Sequence, residues 1–136
     1  MPLSIPGPVA PGVYPGPGQA GLLRANEQQQ LWSAQNLAAG TTTSIAVQLE
    51  RRTGSFYPWG AAIEIAFSGA PGTFEISVQF AETDKDANFV AVGSITAVNS
   101  SNVGRYDMPN TVFPKYVRLF AKTFPNAVTA NAIITR

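Results

Sequence analysis

The sequence predicts an all-β protein, an antiparallel β-sandwich of the jelly-roll type, preceded by an extended Pro/Gly-rich N-terminal arm. Two observations carry the body: apolar residues recur at every second position through most of the chain, and turn-forming clusters interrupt them at intervals of roughly 8–12 residues. A third carries the arm. Pro2, Pro6, Pro8, Pro11, Pro15 and Pro17 interleave with Gly7, Gly12, Gly16, Gly18 and Gly21. At 136 residues the chain suits one domain with a full core, and we divide it into an arm over residues 1–30 and a sandwich over 31–136.

Prolines fix φ and remove backbone donors, so residues 1–21 predict neither helix nor interior strand, but an extended segment with a reach of roughly 60 Å at about 3.1 Å per residue. A solvated tail would satisfy the same composition, yet such tails are usually charged. Here no charge precedes Arg24, while Leu3, Ile5, Val9, Val13, Tyr14, Leu22 and Leu23 would gain by lying on another surface. They are the first candidates for partner contact.

Arg24 to Gln30 is polar and suits a turn or a single helical turn. Strands are expected over Leu31–Leu37, with Trp32 in the core, and over Ser44–Leu49, with Ile45, Val47 and Leu49 on one side. Ala38-Ala39-Gly40-Thr41 turns between them. Ala61–Phe67 alternates Ile63, Ile65 and Phe67 against Ala62, Glu64 and Ala66. After the turn Ser68–Gly72, the clearest strand of the chain alternates Phe74, Ile76, Val78 and Phe80 against polar neighbours, and the two predict a hairpin. Glu82–Asn88 is a polar loop. Phe89–Val92, Ile95–Val98, Tyr106–Val112, Lys115–Lys122 and Val128–Thr135 complete the strands, with turns at Asn99–Gly104 and Pro125-Asn126.

Composition excludes much chemistry. With no His and no Cys, the commonest general base, the commonest zinc ligand, thiolate sites and disulfides are all missing. Charged residues are 12% of the chain and the net charge is +1, too little and too scattered for a nucleic-acid footprint. No apolar run approaches the roughly 20 residues that span a bilayer, and no signal-like segment opens the chain. We therefore expect a soluble protein made in a cytoplasm, without membrane or nucleic-acid partners.

Asp84-Lys85-Asp86-Ala87-Asn88 imitates the start of a calcium loop, but it lacks the sixth-position glycine and the distal glutamate, and Lys85 puts a cation inside it. A hairpin loop is the better account, and neither metal nor cofactor is expected. Glu64 and Glu75 would face each other across the expected hairpin, the minimum for glycoside hydrolysis; on the polar sides of strands such residues are usually solvation, and we expect no enzyme. Asn99-Ser100-Ser101 matches a glycosylation acceptor, but in a chain without a secretion signal it is a turn. Phe56, Tyr57 and Trp59, held by Pro58 and Gly60 after Arg51-Arg52, either close an open end of the sandwich or anchor an interface or a sugar. We count Arg51, Phe56, Tyr57 and Trp59 among the candidate partner-binding residues.

Glu75–Asp84, the polar loop, Asn88–Ser94 and Lys115–Leu119 together resemble the strand–loop–strand grammar of small β-sandwich virion proteins of tailed bacteriophages, and Leu37–Thr43 is similar to openings of that class. With the Pro/Gly arm, the chain looks most like a capsid cement or decoration protein. That resemblance implies a jelly-roll body on the capsid exterior of the virion, bound to the major capsid protein and to copies of itself as a dimer or another small homo-oligomer. The alternative is a tail or fibre-associated module that binds a host glycan through Tyr57 and Trp59, or another virion protein.

Overall fold

A computed structural model describes residues 22–24, 27–37, 41–50, 61–109, 114–122 and 124–136. Among these residues ten strands follow one another: β1 (Leu22–Leu23), β2 (Gln28–Asn36), β3 (Thr42–Thr43), β4 (Val47–Leu49), β5 (Ala62–Phe67), β6 (Ile76–Ala81), β7 (Val90–Ile95), β8 (Val103–Asp107), β9 (Tyr116–Ala121) and β10 (Thr129–Thr135). One 3-10 turn, Asp86–Asn88, interrupts them. They form two sheets. Sheet A has the order β1-β4-β9-β6-β7, with β3 also paired to β9, and sheet B has the order β2-β10-β5-β8. All pairings are antiparallel except that of β1 with β4.

The period-2 pattern decides what lies between the sheets. Val47, Ile76, Val78, Val117 and Leu119 from sheet A meet Ile63, Ile65, Ala130, Ala132 and Ile134 from sheet B, all fully buried, so the core is a sandwich interior lined by the alternate residues of both layers. Trp32 and Leu31 join it. One end is closed by Phe67, Phe74 and Phe124, whose ring centroids lie 5.2–5.8 Å apart. At that end the connections before β6 and before β10 touch: Gly72 has φ +73, and a Cβ there would lie 3.0 Å from Asn126 Nδ2, so glycine satisfies both the left-handed backbone and the close approach.

This contact explains the main departure from expectation. β5 and β6 do not form a hairpin; they lie in opposite sheets. Alternation reports which face of a strand is apolar, not which strand lies alongside, and here Thr73–Glu75 prolong the turn so that Phe74 drops into the core while the chain crosses layers. β6 instead pairs with β7 and β9.

Smaller departures have local causes. Gln28–Gln30 is strand, with Gln29 buried, and not a turn; β1 and the start of β2 thus precede Leu31, where the sequence places the start of the body. Ile45 faces outward because Ser44 opposes Leu119 while Val47 opposes Val117, leaving two residues of one strand against one of the other. Ser44 is buried there, its Oγ accepting the Leu119 N–H and donating to the Ile45 carbonyl, both at 2.8 Å. In place of the strands expected over Phe89–Val92 and Ile95–Val98 there is one, β7 over Val90–Ile95, and Thr96–Val98 lies beyond its end. The strand expected over Tyr106–Val112 begins earlier, at Val103, after a turn in which Asn99 Oδ1 accepts from the Ser101 and Val103 amides and Asn102 takes φ 61. The turn expected at Ala38–Gly40 and the end of the Tyr106–Val112 strand lie outside the described residues. No helix among the described residues is long and apolar enough to cross a membrane.

Candidate interaction surfaces

Along β9 the inward residues Val117, Leu119 and Ala121 alternate with Tyr116, Arg118 and Phe120, which form the outward face of sheet A. Register sets their neighbours: Gln48 and Ala81 flank Tyr116, Gln79 adjoins Arg118, and Thr43 and Ser77 flank Phe120. Leu22 lies beside Gln48. The large apolar residues most exposed among the described residues all belong to this layer or its edges: Val90 at 63%, Val92 at 46%, Ile45 at 44% and Leu22 at 36%. None comes from sheet B.

One cation sits within this face and is neutralised where it stands. Arg118 Nη1 pairs with Asp86 Oδ1 at 2.7 Å, its Nε donates to Gln79 Oε1 at 2.7 Å, and its guanidinium lies 4.0 Å from the centre of the Phe89 ring. Fork geometry and ring stacking are what an arginine offers and a lysine does not. The 3-10 turn and the start of β7 are thereby pinned to the sheet.

The root of the arm belongs to the same layer. β1 pairs with β4 and turns Leu23 into the core while Leu22 stays on the outer side. Leu23, expected among the contact-making residues, is thus an anchor of the body. Its carbonyl accepts from the Glu50 amide at 2.9 Å and from Arg136 Nη1 at 2.8 Å, and Arg136 Nη1 also reaches the Glu50 carbonyl at 2.8 Å. Burial holds the Arg136 guanidinium pKa below its usual value, opposed by the nearby Glu50 carboxylate. Arg24 Nε pairs with Glu50 Oε2 at 3.1 Å. Leu3, Ile5, Val9, Val13, Tyr14, Arg51, Phe56, Tyr57 and Trp59 lie outside the described residues.

Sheet B carries a different surface. An open groove of about 440 Å³ runs over its outer side, floored by Ala62, Ile133 and Met108 and rimmed by Glu64, Arg105 and Asp107. Arg105 Nε pairs with Asp107 Oδ1 at 2.9 Å, and its Nη1 stands 4.0 Å from Glu64 Oε2. Both anchors of the 51–60 segment adjoin this groove: Ala61 lines it and accepts the Met108 amide at 2.8 Å, and Arg136, another lining residue, holds Glu50. Apolar floor and hydrogen-bonding rim suit a small polar ligand.

The other constellations are not assembled. Glu64 and Glu75 stand in or beside opposite sheets, Glu64 near Arg105 and Glu75 beside Lys122 at 3.3 Å; the facing pair expected from the hairpin does not exist. Asp86 is engaged with Arg118, and among the described residues no three acidic residues converge as metal ligands. What sequence reasoning missed is the Arg118 cluster and the exposure of β7. A signal was present: Phe89-Val90-Ala91-Val92 is an unbroken apolar run, a strand without a wetted side. Against family models, curated proteins and solved structures, the chain finds no match.

Proposed function

We propose that this protein is a structural, non-enzymatic assembly protein: a jelly-roll cement protein that seats the outward face of sheet A on the major capsid protein of a tailed-phage head, with the arm of residues 1–21 reaching neighbouring subunits and copies. One observation carries the assembly role. Leu22 and Ile45 stand exposed on the outward side of the layer into which the arm root is built, beside the half-buried Tyr116 and Phe120, although folding requires only the opposite face of that layer to be apolar. The strand orders β2-β10-β5-β8 and β4-β9-β6-β7, with a chain that alternates between layers, support the jelly-roll assignment. The capsid as partner and the virion as location rest on the resemblance of the Glu75–Ser94 and Lys115–Leu119 segments. Many copies on a symmetric shell would add modest contacts into firm attachment.

The test compares the full chain with a form that starts at Leu22, which keeps β1 and its buried Leu23. Full-length protein should sediment with heads assembled without it, and the shortened form should stay in the supernatant. If neither form binds, the cement role is wrong.

The groove on sheet B favours a second reading, a module that binds a host glycan beside the loop carrying Tyr57 and Trp59. Glycan-array binding lost in Arg105→Ala, with head binding unchanged, would select it.

A further inference from the structure

We propose that Arg136 is the residue that positions the arm: from the end of β10 in sheet B, its guanidinium fixes the place at which the arm root joins sheet A. This rests on the attachment through the arm in the preceding reading and names the side chain that sets its geometry. The arm root has little hold of its own. β1 is two residues long, lies at the end of sheet A, and pairs among the described residues only with β4, itself of three residues. So short a ladder contributes few backbone bonds.

Arg136 supplies the rest. It follows Thr135, which stands between Gln28 and Ala62 in sheet B, so its backbone belongs to one layer while its side chain reaches the other. Nη1 donates to the Leu23 carbonyl and to the Glu50 carbonyl, both at 2.8 Å, one proton to each. Hydrogen bonds from a charged donor are the stronger kind. The backbone amide of the same residue donates to the Glu27 carbonyl at 3.0 Å. The chain is therefore held on both sides of Arg24, at Leu23 and at Glu27, by a residue carried on an inner strand of the opposite layer. Arg24 adds its own ties, its N–H to Glu27 Oε1 at 2.8 Å and its Nε to Glu50 Oε2 at 3.1 Å.

The carbonyls that share Nη1 stand where position matters. Leu23 follows the arm with only Leu22 between, and it is the buried anchor of β1, while Glu50 closes the strand segment against which β1 is laid. Bridging the two sets the arm root against β4 and refers both to β10, so the origin of the arm does not depend on a two-residue ladder alone. For an arm that acts at a distance a fixed origin has a definite effect. It limits the volume that the apolar residues of the arm search, and so raises their effective concentration at a neighbouring surface.

Amide exchange of the full chain without heads tests the positioning directly, because the Glu50 amide donates to the Leu23 carbonyl and reports on the root. In Arg136→Met it should exchange about tenfold faster or more, the equivalent of one lost charge-assisted hydrogen bond. The Ser44 and Phe67 amides, which donate to Leu119 and Asn102, should keep the parent rate. Arg136→Gln, shorter and neutral, should show the same contrast, and Arg136→Lys, with its donors on one nitrogen, should recover most of the protection. Sedimentation with heads should weaken about tenfold in Arg136→Met and recover in Arg136→Lys. An unchanged Glu50 rate, or a rise shared equally by Ser44 and Phe67, would overturn the proposal, as would full head binding by a variant whose root is loosened. If the parent chain itself ignores heads, the cement reading falls, and the exchange rates still decide whether Arg136 holds the root.

Discussion

The two outward faces of the sandwich are built on the same rule and put it to different use. Sheet B presents mostly polar rows, Gln30, Glu64 and Arg105 with Ile133 in one register line and Gln28, Thr135 and Asp107 with Ala62 in the next, and its charges are paired with each other at the surface. Sheet A presents Tyr116, Phe120, Ile45 and Leu22 around a single arginine that is already neutralised. The inward faces are alike. Folding therefore explains the interior of both layers, and under the proposed assembly role the apolar side chains outside sheet A are where a partner would sit.

The largest expected effects probe the claim that the interiors match. Leu119→Ala in sheet A and Ile134→Ala in sheet B, both fully buried, should each cost ~2–5 kcal/mol in denaturant unfolding. A cost confined to one sheet would break the comparison at its base. Next comes the contact between β7 and β8, where a Cβ on Gly93 would stand 2.5 Å from Tyr106 Cε1: Gly93→Ala should destabilise by about 1–3 kcal/mol through that clash, and by less in a Tyr106→Leu background. If the two substitutions are additive, the ring and the strand are not coupled as described.

Arginines on the two faces sharpen the contrast further. The side chain of Arg118 is 11% exposed and that of Arg105 is 57% exposed. Arg118→Ala should cost about 1–2 kcal/mol, because Gln79 and the Phe89 ring lose their partner, and should speed amide exchange at Asn88 and Phe89. Arg105→Ala should fall within about 0.5 kcal/mol of the parent protein. The smallest stability effect belongs to Ile45→Lys, again within about 0.5 kcal/mol, yet this substitution should weaken attachment to heads while Glu64→Gln leaves it intact. Equal binding losses in both would erase the distinction between the faces.

Much of this architecture was legible in the sequence where a strand has one buried side. Ile63, Ile65, Ile76, Val78, Val117 and Leu119 announce their faces by alternation alone, and all prove buried. Layer membership was not legible, because the β5–β6 connection and a hairpin turn share the residues Ser68–Gly72 and differ only in where Phe74 goes. Leu22 and Leu23 are chemically identical, so only the pairing of β1 with β4 separates the exposed one from the buried one. Ile45 shows the same limit, since the extra residue between Ser44 and Val47 reverses its side and leaves no mark in composition.

The position of β10 has a consequence for the order in which a ribosome delivers this molecule. β10 lies between β2 and β5, and Gln28 at the start of β2 pairs with Thr135 at the end of β10. At cellular elongation rates the intervening chain takes on the order of ten seconds to emerge. Throughout that interval sheet B lacks its middle strand, and the apolar sides of β5, β6 and β9 have no complete layer to cover them. Closure of sheet B thus comes late and is dominated by non-local pairing.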